Sequence, residues 1–145
     1  MTSQPLEILE RLVTSTSRLT RIAAQATGRN TSPAVWRTLG ILSTDGSLRI
    51  GELAKASRVS QPSMTKLLHG LVEDEYVYRI ADTDDSRAWL IALSDKGAEA
   101  LAEWKHTLAT SLGHLFDDLD ESEWAVLDQA TQLLAARVQT EVSVA

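Results

Sequence analysis

The polar side chains best suited to specific contacts are concentrated in residues 60–69. Apolar residues spaced three and four apart, Met64, Leu67 and Leu68, predict a helix here and leave the polar residues on the other side. Side chains of these types hydrogen-bond to base edges in a DNA major groove, and a lysine also suits a phosphate. A solvated helix face would have the same composition, so the segment alone leaves both interpretations open. The polar residues are Ser60, Gln61, Ser63, Thr65, Lys66 and His69.

The apolar spacing around this segment predicts a helix-turn-helix over residues 50–71. With Ile50 as the first position, apolar residues occupy the places where two short helices pack at a steep angle, and Ala54 is small where the second helix crosses closest. Ser60 is a suitable N-cap, and Pro62 lies in the first turn, where its missing N–H does no harm. The positions that define the spacing are Leu53, Ala54, Val59, Met64 and Leu67.

A hairpin is predicted next, because YVYRIA (76–81) and AWLIAL (88–93) are β-rich and flank the polar run DTDDSR. Arg87 ends the loop, where a long cationic side chain can enter a minor groove or bind phosphates. Three aspartates precede it, but they lack the glycine and distal glutamate of a calcium loop, so we expect no metal site. An aspartate is expected to hold the wing arginine or to cap the turn.

The whole-chain composition favours one cysteine-free globular domain of 145 residues. Absence of cysteine excludes disulfides and a thiol switch. No apolar run could span a membrane, and no signal sequence begins the chain, which predicts a cytoplasmic protein. The net charge of −6 opposes DNA binding, but residues 91–145 hold ten acids against three bases, whereas residues 49–70 carry four bases against Glu52.

The remaining segments predict further helices. Ser32 and Pro33 begin a helix that Asp45–Gly46 ends, and after Ser94 an apolar stripe predicts one long helix reaching Leu119. A last helix follows the acidic residues 117–123. These outer helices have more apolar surface than the central module can cover, so we expect a homodimer. The predicted fold is mainly α with a small β-hairpin wing.

The sequence resembles the multiple-antibiotic-resistance regulator (MarR) family, through residues 50–79 and DTDDSRAWLIALSDKG (82–97). The resemblance implies a single domain over 1–145, with winged helix-turn-helix 33–93 and dimerisation helices 1–30 and 95–145. It implies a repressor that binds a palindromic operator in double-stranded DNA and is released by a small aromatic or lipophilic effector. It also implies that residues 60, 61, 63, 65 and 66 belong to the recognition helix, with Arg87 as wing arginine and Asp85 as its acidic neighbour.

This chain departs from the family pattern at three positions. Arg58 stands in the turn where glycine is common, and Glu75 replaces the glycine expected after the recognition helix. Ser86 stands where a second basic residue is frequent, which weakens the expected phosphate contact of the wing.

Other functions fit the sequence less well. The three histidines are scattered, and no metalloprotease, phosphate-loop or nucleophile-elbow signature is present, so we expect no catalytic residues and no cofactor. A ligand-sensing or protein-interaction adaptor that has lost DNA binding remains the alternative. An effector pocket of the family type would involve Trp36, Arg37, Trp104 and His106, although tryptophans at such spacing are also typical of a core.

Overall fold

The computed structural model describes residues 3–27, 32–85 and 87–144. Helices dominate. One short strand precedes the third helix, and two more lie between the fourth and fifth helices. In chain order the elements are α1 Ser3–Ala26, α2 Pro33–Asp45, β1 Leu48–Arg49, α3 Ile50–Ser57, α4 Gln61–Glu73, β2 Val77–Ala81, β3 Trp89–Leu93, α5 Asp95–Ser111, α6 Gly113–Phe116 and α7 Glu121–Val144. The predicted mainly helical fold with a β wing is confirmed.

The boundaries of α2 follow the predicted signals. The Ser32 side chain accepts a hydrogen bond from the Ala34 N–H, and Pro33 occupies the first turn. Gly46 ends the helix with φ +82°, a backbone conformation that favours glycine, and its N–H donates to the Leu42 carbonyl. Both ends of this helix are therefore fixed by local side-chain and backbone chemistry.

The core of the central module joins α2, α3, α4 and the sheet. Leu39, Leu53 and Met64 are fully buried and come from three different helices, while Ile91 brings β3 against them. One polar contact lies inside this apolar cluster: the hydroxyls of Thr38 and Ser57, both fully buried, are 3.3 Å apart. Thr38 also donates to the Ala34 carbonyl at 2.7 Å, which satisfies the group on its own helix.

The sheet contains a strand that the sequence did not predict. β3 pairs antiparallel with β2 as expected, with Arg79 opposite Ile91 and Ala81 opposite Trp89. On its other edge β3 pairs with β1, where Arg49 lies opposite Leu90. A two-residue strand is too short to show the alternation of apolar and polar residues that identifies a strand in a sequence. β1 connects the beginning of α3 directly to the wing.

A tight junction connects the end of α4, the sheet and the beginning of α5. Glu75, which stands where the family pattern has glycine, adopts a left-handed backbone conformation with φ +63°. Its carbonyl accepts from the Ser94 hydroxyl at 2.6 Å, and the Tyr76 carbonyl accepts from the Ser94 N–H at 3.0 Å. Gly97 packs so closely that a Cβ there would lie 2.2 Å from the Tyr76 oxygen.

The long helix predicted from Ser94 to Leu119 is interrupted. α5 ends at Ser111, and the separate four-residue α6 begins at Gly113. The apolar spacing continues across this break, so periodicity alone did not reveal it; a glycine lowers helix propensity at that place. The prediction of one continuous helix was wrong.

The chain divides into two compact units, residues 1–111 and 112–145. In the first, α1 packs against α5 and leaves Leu6, Leu9 and Val13 half or more exposed. In the second, Phe116 lies 6.1 Å from Trp124 between ring centroids, and exposed apolar side chains follow α7: Trp124, Val126, Leu133 and Val138. Within the described ranges, no helix is long and apolar enough to cross a membrane.

Candidate nucleic-acid interface

The two helices of the predicted helix-turn-helix pack as the apolar spacing requires. Of the positions that define the predicted spacing, Leu53, Ala54 and Met64 are buried, with Ala54 only 4% exposed. Val59 and Leu67 are half-buried against the core. Between the helices, Arg58 adopts φ +58°, and its N–H donates to the Lys55 carbonyl at 3.1 Å. The turn thus has the left-handed geometry in which glycine is usual, and the arginine carries the small steric cost.

The first turn of α4 is fixed by serine hydroxyls. Ser60 is the N-cap, and its Oγ accepts from the Ser63 N–H at 3.2 Å. The Ser60 hydroxyl donates to Ser63 Oγ at 2.8 Å. The Gln61 side chain lies over the first turn of α3, with its oxygen 3.5 Å from the place of a Cβ on Gly51. The Gln61 side chain therefore lies close to the beginning of α3 as well as to that of its own helix.

The outward face of α4 carries the predicted polar set. Gln61, Ser63, Thr65, Lys66 and His69 are all exposed, as is the capping Ser60. The Thr65 hydroxyl donates to the Gln61 carbonyl at 3.0 Å, which leaves the lone pairs of its oxygen able to accept a further hydrogen bond. These side chains form a continuous polar surface without a carboxylate among them.

The wing loop is held by hydrogen bonds to its own backbone. Asp85 Oδ1 accepts from the Arg87 N–H at 3.0 Å, and the Asp85 carbonyl accepts from the Ala88 N–H at 3.0 Å. The predicted neighbours Asp85 and Arg87 are thus in contact through the main chain of the arginine. Ser86, the position predicted to weaken phosphate contact, lies outside the described residues.

An ion pair that the sequence analysis missed connects the wing with α3. Arg49 contacts Asp82 with its Nε at 2.8 Å and its Nη2 at 2.7 Å, both on Oδ2. A backbone hydrogen bond from Asp84 and the contact with Arg49 lower the pKa of Asp82, and the same pairing raises the pKa of Arg49. The partners are 33 residues apart, so only the fold brings them together.

Beside the wing, three arginines line one groove of about 650 Å³. Arg49, Arg79 and Arg87 face it together with Gly51 and with Trp89, whose side chain is 57% exposed. Arg49 is neutralised by Asp82, whereas neither Arg79 nor Arg87 forms an ion pair with another residue in the described part of the chain. Arg79 was not singled out from the sequence; strand alternation next to the loop places it on the same face as Trp89.

The four residues of the predicted effector pocket are only partly brought together. Trp36 and Trp104 stack with ring centroids 5.1 Å apart and an interplanar angle of 12°. Trp36 lines a groove of about 550 Å³ beside Lys66, whereas His106 lines a different groove of about 500 Å³ with Thr107 and Thr110. Arg37 lines neither of these grooves. Both tryptophans pack against the core, and of the two only Trp36 lines one of these grooves.

Acidification is expected to remove the stabilising effect of the wing ion pair. Because the pKa of Asp82 is lowered in the folded protein, the carboxylate makes its full contribution to the free energy of unfolding at pH values above the ordinary aspartate pKa of about 3.9. That contribution is lost as the pH falls through the lower folded value. Asp82→Asn should therefore reduce the thermal midpoint at pH 7, and the difference from the wild type should shrink towards pH 3. Calorimetry of both proteins across this range is the measurement; a difference that stays constant would contradict the assignment.

Comparison with known proteins decides the family. The profile of the MarR family matches residues 32–89, from the N-cap of α2 to the first residue of β3. An HTH-type transcriptional regulator of Mycobacterium bovis is 31% identical over 122 residues, covering 81% of this chain and 85% of that protein. The chain belongs to the MarR family of transcriptional regulators.

Solved structures share the MarR fold over almost the whole chain. A putative transcriptional regulator from Pseudomonas aeruginosa has a TM-score of 0.73 at 26% identity, covering 96% of this chain and 98% of the other. A MarR family protein from Bacillus stearothermophilus has a TM-score of 0.67 at 20% identity, covering 95% and 98%. The protein is therefore a MarR-family helix-turn-helix transcriptional regulator, a class that binds DNA and is not in general enzymatic.

Proposed function

We propose that the protein is a homodimeric repressor that binds an inverted repeat in double-stranded DNA and is released by a small aromatic or lipophilic ligand. The observation that carries the DNA-binding part is the exposed polar face of α4 beside the arginines of the wing groove. A helix of this kind reads base edges in a major groove, and the wing arginine contacts the adjacent minor groove or its phosphates. Such a regulator acts on chromosomal DNA in the cytoplasm.

The places of individual residues in the fold support the roles proposed for them. Gln61, Ser63, Thr65 and His69 are proposed to meet base edges, and Lys66 a phosphate or guanine. Ser60 fixes the N-terminus of α4, where the positive end of the helix dipole favours a nearby phosphate. In the wing, Arg87 contacts DNA, Asp85 supports the turn, and Arg79 adds a cation facing the same groove.

The proposed dimer uses the outer helices. We assign residues 1–30 and 95–145 to dimerisation and 33–93 to DNA binding within one MarR-like domain of 1–145; residues 1–2, 28–31 and 145 lie outside the described part. Apolar side chains on α1 and on α7 are half or more exposed in the single chain, and burial against a second copy would remove them from water. Two winged modules would then read half-sites about one or two turns of DNA apart.

The proposed effector would bind near the stacked tryptophans. The groove beside Trp36 also contains Val35, Leu67 and Tyr76, so an aromatic or lipophilic ligand would find apolar walls there, and Lys66 and Asp74 would offer it one charge of each sign. The competing function is an adaptor that senses a ligand without binding DNA. From Gln61 to Gly70 the exposed residues of α4 include no acid and no large apolar side chain, which speaks against that alternative; the exposed Val72 and Glu73 lie in the last turn of the helix.

The decisive experiment selects bound fragments from genomic DNA and measures their affinity by fluorescence anisotropy. We expect an inverted repeat to be enriched and to bind in a salt-sensitive manner. Gln61→Ala should relax the preference at particular base pairs by about tenfold, because a good bidentate side-chain contact discriminates by about 1–3 kcal/mol. Absence of sequence-selective binding at every salt concentration would favour the adaptor.

The role of the wing arginine is tested through salt. Arg87→Ala is expected to weaken binding to all sequences similarly and to reduce the slope of log K against log salt by about one unit, as for one lost phosphate contact. The Arg18→Ala variant, on the exposed side of α1, supplies a control with the same change in charge. A slope that is the same in all three proteins would assign Arg87 to structure alone.

A further inference from the structure

The residue immediately before α3 is an arginine, at a position where a small capping residue is usual. Arg49 occupies the N-cap with extended backbone angles, a position that favours Ser, Thr, Asp or Asn. Its backbone N–H donates to Glu52 Oε1 at 3.1 Å, so the first turn of α3 is held by the glutamate. The guanidinium is not needed for capping and extends instead to Asp82 at the base of the wing loop.

Asp82 uses both carboxylate oxygens to fix the wing loop. Oδ2 accepts both contacts from Arg49, and Oδ1 accepts from the Asp84 N–H at 3.0 Å. The Asp82 N–H donates to the Ala88 carbonyl at 3.1 Å, which closes the base of the loop next to Arg87. With 8% of its side chain exposed, Asp82 is nearly buried, and a buried carboxylate with all its partners in place holds its geometry firmly.

The pair also controls the charge of the groove. Arg49 lines the same groove as Arg79 and Arg87, and three unpaired cations there would repel one another. Because Asp82 neutralises Arg49, the remaining arginines keep their charge for a phosphate while the groove as a whole is less self-repelling. The ion pair therefore contributes both geometry and charge balance at the place where the wing meets α3.

We propose that Arg49 and Asp82 are positioning residues for DNA binding, which hold the wing arginine Arg87 at a fixed distance from the recognition helix α4. The proposal rests on the proposed function of the wing. α4 is packed on α3, and the wing loop is anchored to the first residue before α3, so the two DNA-contacting parts share one rigid support. Without the anchor, the hairpin tip moves independently, and the Arg87 contact has to be ordered when DNA binds.

The test is a comparison of Arg87→Ala in two backgrounds. The double variant R49Q/D82N removes the ion pair without changing the net charge, so long-range attraction to DNA is preserved. In the wild type, loss of a charged contact by Arg87→Ala should reduce operator affinity about tenfold. In R49Q/D82N the same substitution should reduce operator affinity less than about twofold, because the contact is already largely lost.

The matched control is E75Q/K96Q, a charge-neutral loss of the 3.6 Å pair between Lys96 and Glu75. In this background Arg87→Ala should still reduce operator affinity about tenfold.

The outcomes separate the anchor from the function on which it depends. An equal cost of Arg87→Ala in all three backgrounds overturns the positioning role, even if R49Q/D82N lowers the thermal midpoint. No effect of Arg87→Ala in the wild type overturns the wing contact itself and the positioning role with it. If R49Q/D82N fails to fold, Arg49→Lys keeps the charge but loses the two-nitrogen contact; the cost of Arg87→Ala should then fall between the wild-type and twofold values, and an undiminished tenfold cost overturns the proposal.

Discussion

Replacing Gly97 with alanine should destabilise the protein by about 3 kcal/mol, near the upper end for overpacking a close contact. The added Cβ would lie 2.2 Å from the Tyr76 carbonyl oxygen and 2.8 Å from Leu93 Cδ1. The first of these atoms is backbone, held by the Ser94 N–H, so it cannot turn aside as a side chain would. The junction between α4, the sheet and α5 would have to open.

Urea unfolding followed by circular dichroism measures this effect, and Gly40→Ala is the control. Gly40 lies inside α2, and beyond the backbone of its own helix no heavy atom lies within 4 Å of its would-be Cβ, so alanine there should stabilise the helix by up to about 1 kcal/mol. Opposite signs for the two variants are expected. A loss below about 0.5 kcal/mol for Gly97→Ala would show that α5 can shift away from Tyr76 at little cost.

Leu9→Glu should convert the proposed dimer to a monomer and reduce affinity for an inverted repeat about 100-fold or more, because the two half-sites are then no longer bound together. Leu9 is 51% exposed in the single chain and lies on one side of α1 with Leu6 and Val13. A charge there costs little in an isolated chain but is unfavourable in an apolar interface. The fold of the DNA-binding module should therefore persist.

Light scattering after size-exclusion chromatography gives the mass, and anisotropy gives the affinity for full and half operators. Thr14→Glu introduces the same charge on the opposite, polar side of α1 and should change neither. Affinity for a single half-site should be similar in all three proteins. A Leu9→Glu protein that remains dimeric would exclude this side of α1 from the interface.

Much of the DNA-binding module could be predicted because its signals are local. The apolar spacing from Ile50 to Leu67 determines which side of α4 is buried, and the exposed polar set follows from it. Ser60 and Ser32 are capping residues whose effect is confined to the next turn. The left-handed residues Arg58 and Glu75 were identified instead through the family resemblance, as positions where glycine is usual.

The missed features depend on contacts between distant segments. β1 consists of two residues and exists because β3 has a free edge beside it, so no local pattern marks it. In the sequence, nothing distinguishes Arg49 from a surface arginine, because only the fold brings Asp82 to within 2.7 Å of it. The aspartates of the wing were expected to contact Arg87 or to cap the turn. The ion pair of Asp82 was missed because its partner lies before α3. The end of α5 at Ser111 was hidden because apolar spacing continues beyond it.

If α4 enters a major groove as proposed, the Thr65 hydroxyl restricts which base pairs can lie opposite it. Its hydrogen is already donated to the Gln61 carbonyl, so towards DNA the oxygen can only receive a hydrogen bond. In the major groove, adenine N6 and cytosine N4 carry hydrogens, guanine presents only acceptors, and thymine offers a methyl group that suits the threonine methyl. An operator base pair opposite Thr65 would then be selected by the acceptor oxygen and the methyl group that Thr65 has available, and A·T pairs would satisfy these from either strand.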